Sequence, residues 1–210
     1  MEAGAAPGCT TRGGLTRIVA TLHKLAKKPG ATLQLHIELR GTKPKVWRRV
    51  LVPQTITLVQ LHRVIQGAFG WGCGHLHEFM AGEQRYGTLD PDYDTPGSVL
   101  SERTKLTRAL EHASTIDYVY DFGDNWRHRI KLEKTLVSDP QLELPLCVGG
   151  ANAAPPDDCG GVPGYYDFVQ ALSDPNHPEH AQMSAWIGRP WDPTGFDLVN
   201  VNSWLNDIKL

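Results

Sequence analysis

The side chains in this sequence that could hold a metal ion or move a proton lie in four short stretches. These are His75 and His77 in HLHEF, Asp121, Asp124 and His128 in YVYDFGDNWRHRI, Cys147 in PLCVGG, and Asp157, Asp158 and Cys159 in PPDDC. Two histidines at i and i+2 on a strand share a face, and imidazole suits zinc, iron and nickel, so His75 and His77 have chelating spacing. Two ligands are not a site. Further ligands would have to come from His128, Cys147 and Cys159, and the competing reading is that the histidine pair closes hydrogen bonds at a sheet edge while the cysteines are small apolar fillers. Asp121 and Asp124 bracket a turn, where aspartate commonly bonds its own backbone. His128 falls on the apolar side of its strand and there needs an acid or a carbonyl as partner. Asp90, Asp92 and Asp94 imitate the start of a calcium loop but lack its glycine and distal glutamate.

The elements that must position these groups follow from periodicity. Ile116, Tyr118, Tyr120 and Phe122, then Trp126, His128, Ile130 and Leu132, alternate on either side of Gly123-Asp124-Asn125, which predicts an antiparallel hairpin. Leu33, Leu35, Ile37 and Leu39 predict a half-buried strand, and Val46 to Val52 a second strand paired with it. Thr57 is placed to cap a helix carrying Leu58, Leu61, Val64, Ile65, Ala68 and Phe69 on one side and ending at Gly70, with His62 as a hydrogen-bonded core histidine. His75 to Phe79 predicts a further strand, residues 87–98 an exposed loop, and Thr104 to Glu111 a short helix. Residues 145–164 read as a long Pro/Gly-dense connection, followed by helices over 165–172, from Pro178 to Ile187, and over Leu198 to Ile208. The expected fold is α+β: a mixed, mainly antiparallel sheet built from hairpins, one main helix packed across it, and C-terminal helices. Residues 1–14 are expected to be a disordered tail, 15–30 an accessory helix, and 31–210 a single domain.

Composition narrows the function classes. Lys and Arg total 21 against 23 Asp and Glu, a formal charge of −2, so no global field draws the chain to nucleic acid or an anionic membrane. Trp47-Arg48-Arg49 is read as the solvated face of a strand in preference to a phosphate reader. Nothing approaches the roughly 18 consecutive apolar residues of a bilayer span, and the N-terminus lacks the apolar core of a signal peptide. The four cysteines form no C-x-x-C pair and are expected to be reduced, in a cytoplasmic protein.

Five ordered blocks carry a resemblance to a known family: PKVWRRVLVP, LVQLHRVIQGAFGW with HLHEF, YVYDFGDNWRHRIKLEK, PPDDCGG with GYYDFVQAL, and WDPTGFDLVNVNSWL. Between Leu33 and Leu205 the sequence resembles the plasmid pRiA4b ORF-3-like family, also met as a passenger protein of insertion sequences. That resemblance implies a bacterial or archaeal α+β domain, often near mobile elements, of largely unknown biochemical activity. The family pattern usually carries glutamate where this chain has Asp157, and often a further cysteine where it has Ala154. Some members are labelled resolvase-like, but the chain shows neither a nucleophile among several arginines nor a helix-turn-helix. The expectation is a non-enzymatic module binding a ligand or protein partner, its pocket formed by Trp71, His75, His77, Tyr120, Asp121, Asp124, Trp126, His128, Asp157 and Asp158. No cofactor is expected. The alternatives are a divalent-metal-dependent hydrolase or nuclease using a His/Asp/Cys cluster, with His75, His77, His128, Cys147 and Cys159 as ligands, and a DNA-associated accessory protein of a transposable element.

Overall fold

Alternate burial of Leu33, Leu35, Ile37 and Leu39 makes β1 (Ala31–Leu39) a strand with one face in the core of the computed structural model, which describes residues 30–87, 99–101 and 103–210. It pairs antiparallel with β2 (Trp47–Pro53), giving the expected opening hairpin with Leu35 opposite Val50. The other edge of β1 takes β7 (Trp126–Val137), which is hairpinned to β6 (Thr115–Tyr120) with Tyr118 opposite His128 and Tyr120 opposite Trp126. β3 (His77–Ala81), β4 (Gln84–Gly87) and β5 (Val99–Leu100) extend the sheet beyond β6, and β8 (Leu146–Ala151) forms the far edge. The order is β5-β4-β3-β6-β7-β1-β2-β8, antiparallel throughout except for the parallel β4/β5 pair.

The covering helix, α1 (Leu58–Phe69), starts where the sequence predicts. The Thr57 hydroxyl accepts from Gln60 N and the Gln60 side chain accepts from Thr57 N, a reciprocal capping box, and Gly70 ends the helix at φ 75°. Its buried face, from Leu58 to Phe69, includes His62 and Gln66 and packs on the aromatic side chains of β3, β6 and β7. A short α2 (Leu106–Ala109) precedes β6. The C-terminal α3 (Gly161–Ser173), α4 (His180–Ile187) and α5 (Leu198–Asn206) complete the α+β architecture expected from the sequence. Leu205 of α5 is buried, and Gly67 of α1 leaves room for it and for Ile208. Among the described residues, no helix is long and apolar enough to cross a membrane.

Four local expectations change. Arg48, expected on the solvated face of its strand, is buried, with its guanidinium bonded to Ala68 O near the end of α1. Residues 146–151, taken as part of an irregular connection, are an edge strand whose weak β-formers pair with β2 through the backbone. A side chain at Gly150 would lie 2.6 Å from the Phe196 ring and 3.0 Å from Arg48 Cδ, which explains a glycine in a strand. Phe122 lies beyond the end of β6 and is exposed. His75 precedes β3, because Cys73 adopts a left-handed φ of 59° and pairing with β6 begins only at His77 opposite Tyr120. The N-terminal tail, the amphipathic stretch from Leu15 to Lys28 and the aspartates of residues 88–98 lie outside the described residues.

Candidate metal centre at the end of the central hairpin

The β6–β7 turn is built on two left-handed residues, Asp121 at φ 54° and Asn125 at φ 55°, residue types that tolerate this region through local hydrogen bonding. Asp121 Oδ1 accepts from Gly123 N at 2.8 Å, which leaves Oδ2 for His75. Asp121 N donates to Leu76 O at 2.9 Å and ties the turn to the segment carrying His75. The two histidines of HLHEF therefore diverge. His77 turns inward and stacks on His62, with centroids 3.6 Å apart and planes 5° from parallel, while His75 faces the turn.

A third segment, residues 152–160, closes on both. Gly160 N donates to Asp124 Oδ2 at 3.0 Å, and Gly161 packs so closely on the turn that a Cβ there would lie 2.4 Å from Asp124 O. Trp71 Nε1 donates to Pro155 O at 2.9 Å, and Asp157 Oδ2 accepts long hydrogen bonds from the Tyr120 hydroxyl at 3.3 Å and from Gly72 N at 3.4 Å. These contacts bring Asp158 Oδ1 to 2.8 Å from His75 Nε2, with Asp121 Oδ2 3.8 Å from the same nitrogen. One ligand atom from each of the three lies within 4.8 Å of the others. Donors bound to one zinc-like ion at about 2.0–2.2 Å stand no more than about 4.4 Å apart, so the cluster is nearly gathered for coordination. One imidazole and two carboxylates suit a transition-metal dication, and a largely exposed Asp158 leaves its outer side open to solvent.

Behind the cluster stands an aromatic wall in which the remaining histidines are held neutral. Trp71 stacks on Tyr120 at 5.3 Å and meets Trp126 and the edge of His128. Gln66 Nε2 donates to the Tyr118 hydroxyl at 3.1 Å, and Cys73 N donates to Gln66 Oε1 at 3.1 Å. The Tyr118 hydroxyl is then left to donate to His62 Nδ1, 2.7 Å away. Burial, aided by the charges of His77 and Arg63, pushes His62 down to about 3, and burial pushes His77 down to about 4. His128 is wholly enclosed, neither ring nitrogen completes a hydrogen bond, and burial lowers it to about 3 against the opposing pull of the Trp126 and Tyr118 backbones. Burial and the neighbouring Asp157 raise Tyr120.

Of the ten pocket residues expected from the sequence, Trp71, His75, Tyr120, Asp121, Asp157 and Asp158 are linked in this one place, and Asp124 joins the turn to the closing loop. His77, Trp126 and His128 lie behind them on the core side of the sheet. Cys147 belongs to β8, where its N–H donates to Asn202 and its thiol to Gly149 O. Burial, then the charge of Asp124, pushes the Cys159 thiol up to about 12. Among the described residues, no convergent group of three or more His, Cys, Asp or Glu ligands includes His77, His128 or a cysteine. Gln66 is a further member of this network, and its sequence signal is a polar residue on the buried face of a helix.

The site's residues, from Gln66 to Gly161, lie inside residues 31–200, the span matched by the family model of the plasmid pRiA4b ORF-3-like protein. The chain belongs to that family. A relative from Sinorhizobium fredii (strain NBRC 101917 / NGR234), the uncharacterized protein y4hQ, is 35% identical over 181 residues, covering 85% of this chain and 92% of its own length. The crystal structure of a protein of unknown function, MM3350 from Methanosarcina mazei Go1, is similar with a TM-score of 0.73 and 34% identity, over 81% of this chain and 97% of that one. The pRiA4b ORF-3-like span contains all three members of the cluster, His75, Asp121 and Asp158.

Proposed function

We propose that residues 31–210 act as one domain and serve as a cation-dependent binding module: His75, Asp121 and Asp158 hold a divalent transition-metal ion, and the coordination positions left open to solvent receive an oxygen-bearing ligand or partner. The observation that carries this reading is the convergence of His75 Nε2, Asp121 Oδ2 and Asp158 Oδ1 on one accessible point. Binding without turnover is favoured because His62, His77 and His128, the imidazoles nearest the cluster, are turned into the core behind it and not toward its open side. Arg49, Arg85 and Arg129 are paired with Glu133, Glu78 and Asp117, which lowers the positive field that these three side chains could offer to nucleic acid.

One observation supports metal-assisted hydrolysis as a second reading. Asp157 Oδ1 is enclosed without a partner next to Asp158, where a carboxylate could take a proton from metal-bound water. Calorimetric titration of the purified, metal-stripped chain with Zn²⁺ tests the first reading. It expects saturable binding to a single site, weakened at least about tenfold in His75→Ala and Asp121→Asn, a difference of about 1.4 kcal/mol. Equal affinity in both variants would remove the site. Turnover of a phosphodiester or ester by the zinc-loaded protein, abolished in Asp157→Asn, would replace the binding reading with the hydrolytic one.

A further inference from the structure

A second site lies on the other side of the 152–160 segment, in a cleft of about 370 Å³ between the end of α1 and the start of α5. That volume is within the range of small-molecule pockets, about 300–1,000 Å³. At its base is Arg48, 3% exposed and without a carboxylate partner among the described residues. Its Nε donates to Ala68 O at 2.9 Å, its Nη1 donates to Trp47 O and Ala151 O, and its guanidinium packs against the Phe69 and Phe196 rings. These contacts give Arg48 a structural role, since a cation at the last turn of α1 favours the helix dipole. They do not use all of it. Nη2 donates to no group among the described residues, and Arg48 is one of the residues that line the cleft. A second guanidinium, Arg189, is exposed on the same cleft and also pairs with no acid among the described residues. Trp204, 57% exposed on α5, supplies an apolar wall.

We infer that this cleft binds a small monocarboxylate carried on an aromatic or aliphatic body, its carboxylate between Arg48 and Arg189 and its apolar part against Trp204. A buried guanidinium with an unused donor recognises an anion through a charge-assisted hydrogen bond, and the indole beside it favours an apolar body over a bare inorganic ion. The rim selects for one negative charge. Asp192 and Asp197 line the same cleft, each held in its own backbone cap: Asp192 by Thr194, and Asp197 by Val199 N and Asn200 N at the start of α5. Two guanidiniums against two carboxylates leave the lining formally neutral, so the larger desolvation cost of a dianion meets no excess of positive charge to offset it. None of these side chains belongs to the His75 cluster, and the inference does not rest on a bound cation.

The test is titration of the full chain with 3-phenylpropanoate, followed through the indole N–H resonances in ¹H–¹⁵N spectra. Its neutral isostere 3-phenylpropanamide and the dianion phenylphosphonate serve as comparison probes. The expected result is saturable movement of the signals of Trp204 and of Trp191, which also lines the cleft, with the carboxylate, about tenfold weaker binding of the amide, and weaker binding of the phosphonate. Arg189→Gln and Trp204→Ala, both at exposed rim positions, should each weaken the carboxylate at least about tenfold while leaving the thermal midpoint unchanged. Arg48→Lys should weaken it too, and if that variant fails to fold the two rim variants still decide. Equal affinity for carboxylate and amide, tighter binding of the phosphonate, an unaltered Arg189→Gln titration, or no saturable shift would each overturn the assignment.

Discussion

Replacing Gly161 by alanine tests whether the closing loop is locked onto the hairpin turn by backbone contact. Gly161 has φ +67°, where an L-residue costs roughly 1–2 kcal/mol, and its new Cβ would lie 2.4 Å from Asp124 O. Neither partner there is a flexible side-chain end, so the loop or the turn must move, and overpacking of this kind costs about 1–3 kcal/mol more. The total, about 2–5 kcal/mol, corresponds to a fall in thermal midpoint of roughly 4–20 °C for a chain of this size. Gly70→Ala is the internal control. Its φ of +75° carries the same conformational cost, but nothing lies within 4 Å of the added Cβ, so it should lose only that cost, about 1–2 kcal/mol. Thermal unfolding by circular dichroism compares the two, and zinc titration of each reads the second effect: Gly161→Ala displaces Asp158 from His75 and Asp121 and weakens the ion, while Gly70→Ala does not. Equal midpoints for the two variants would refute the close packing. Unaltered zinc affinity in Gly161→Ala would refute its role in gathering the cluster.

The buried histidines set a pH dependence whose sign is fixed by their direction of shift. His62, His77 and His128 hold folded-state values of about 3, 4 and 3, below the ordinary imidazole value of about 6.5, so the unfolded chain binds more protons between those limits. Their stabilisation is complete above about pH 6.5 and is lost as pH falls toward 4, at up to about 1.4 kcal/mol per pH unit for each histidine. Urea midpoints measured between about pH 7 and 5 should therefore decline, and a flat profile would contradict the enclosure of these rings. His128→Leu should flatten that decline without a large loss at pH 7, because it removes an imidazole that makes no completed hydrogen bond. At the start of α1, Thr57→Ala breaks a reciprocal cap and should cost about 1 kcal/mol in the same urea assay, while leaving zinc binding unchanged.

The elements legible in the sequence were those whose burial follows a period. β1, the β6–β7 hairpin and α1 each display their buried face as alternation or a helical stripe, and Thr57 and Gly70 mark the ends of α1. β8 was hidden because Leu-Cys-Val-Gly-Gly-Ala offers little β-propensity, and its pairing is enforced by tertiary contact with Trp47, Arg48 and Phe196. The i, i+2 reading of His75 and His77 failed because a left-handed Cys73 delays the strand, which sends one ring to the core and the other to the turn. All three members of the cluster were singled out as candidates, but not as a set. Their meeting depends on Gly161 against Asp124, on Trp71 against Pro155 and on Asp121 against Leu76, contacts between segments that no local pattern encodes.

If one cation sits between His75, Asp121 and Asp158, as proposed, paramagnetic broadening by Mn²⁺ locates it there. In ¹H–¹⁵N spectra of the metal-free full chain, substoichiometric Mn²⁺ should first erase the amide signals of Gly74, His75, Asp121, Phe122, Asp158 and Cys159, and added Zn²⁺ should restore them. Broadening spread evenly over the acidic surface, or appearing first around Asp167 of α3 and Glu179 just before α4, two acids that line one cleft, would contradict that placement.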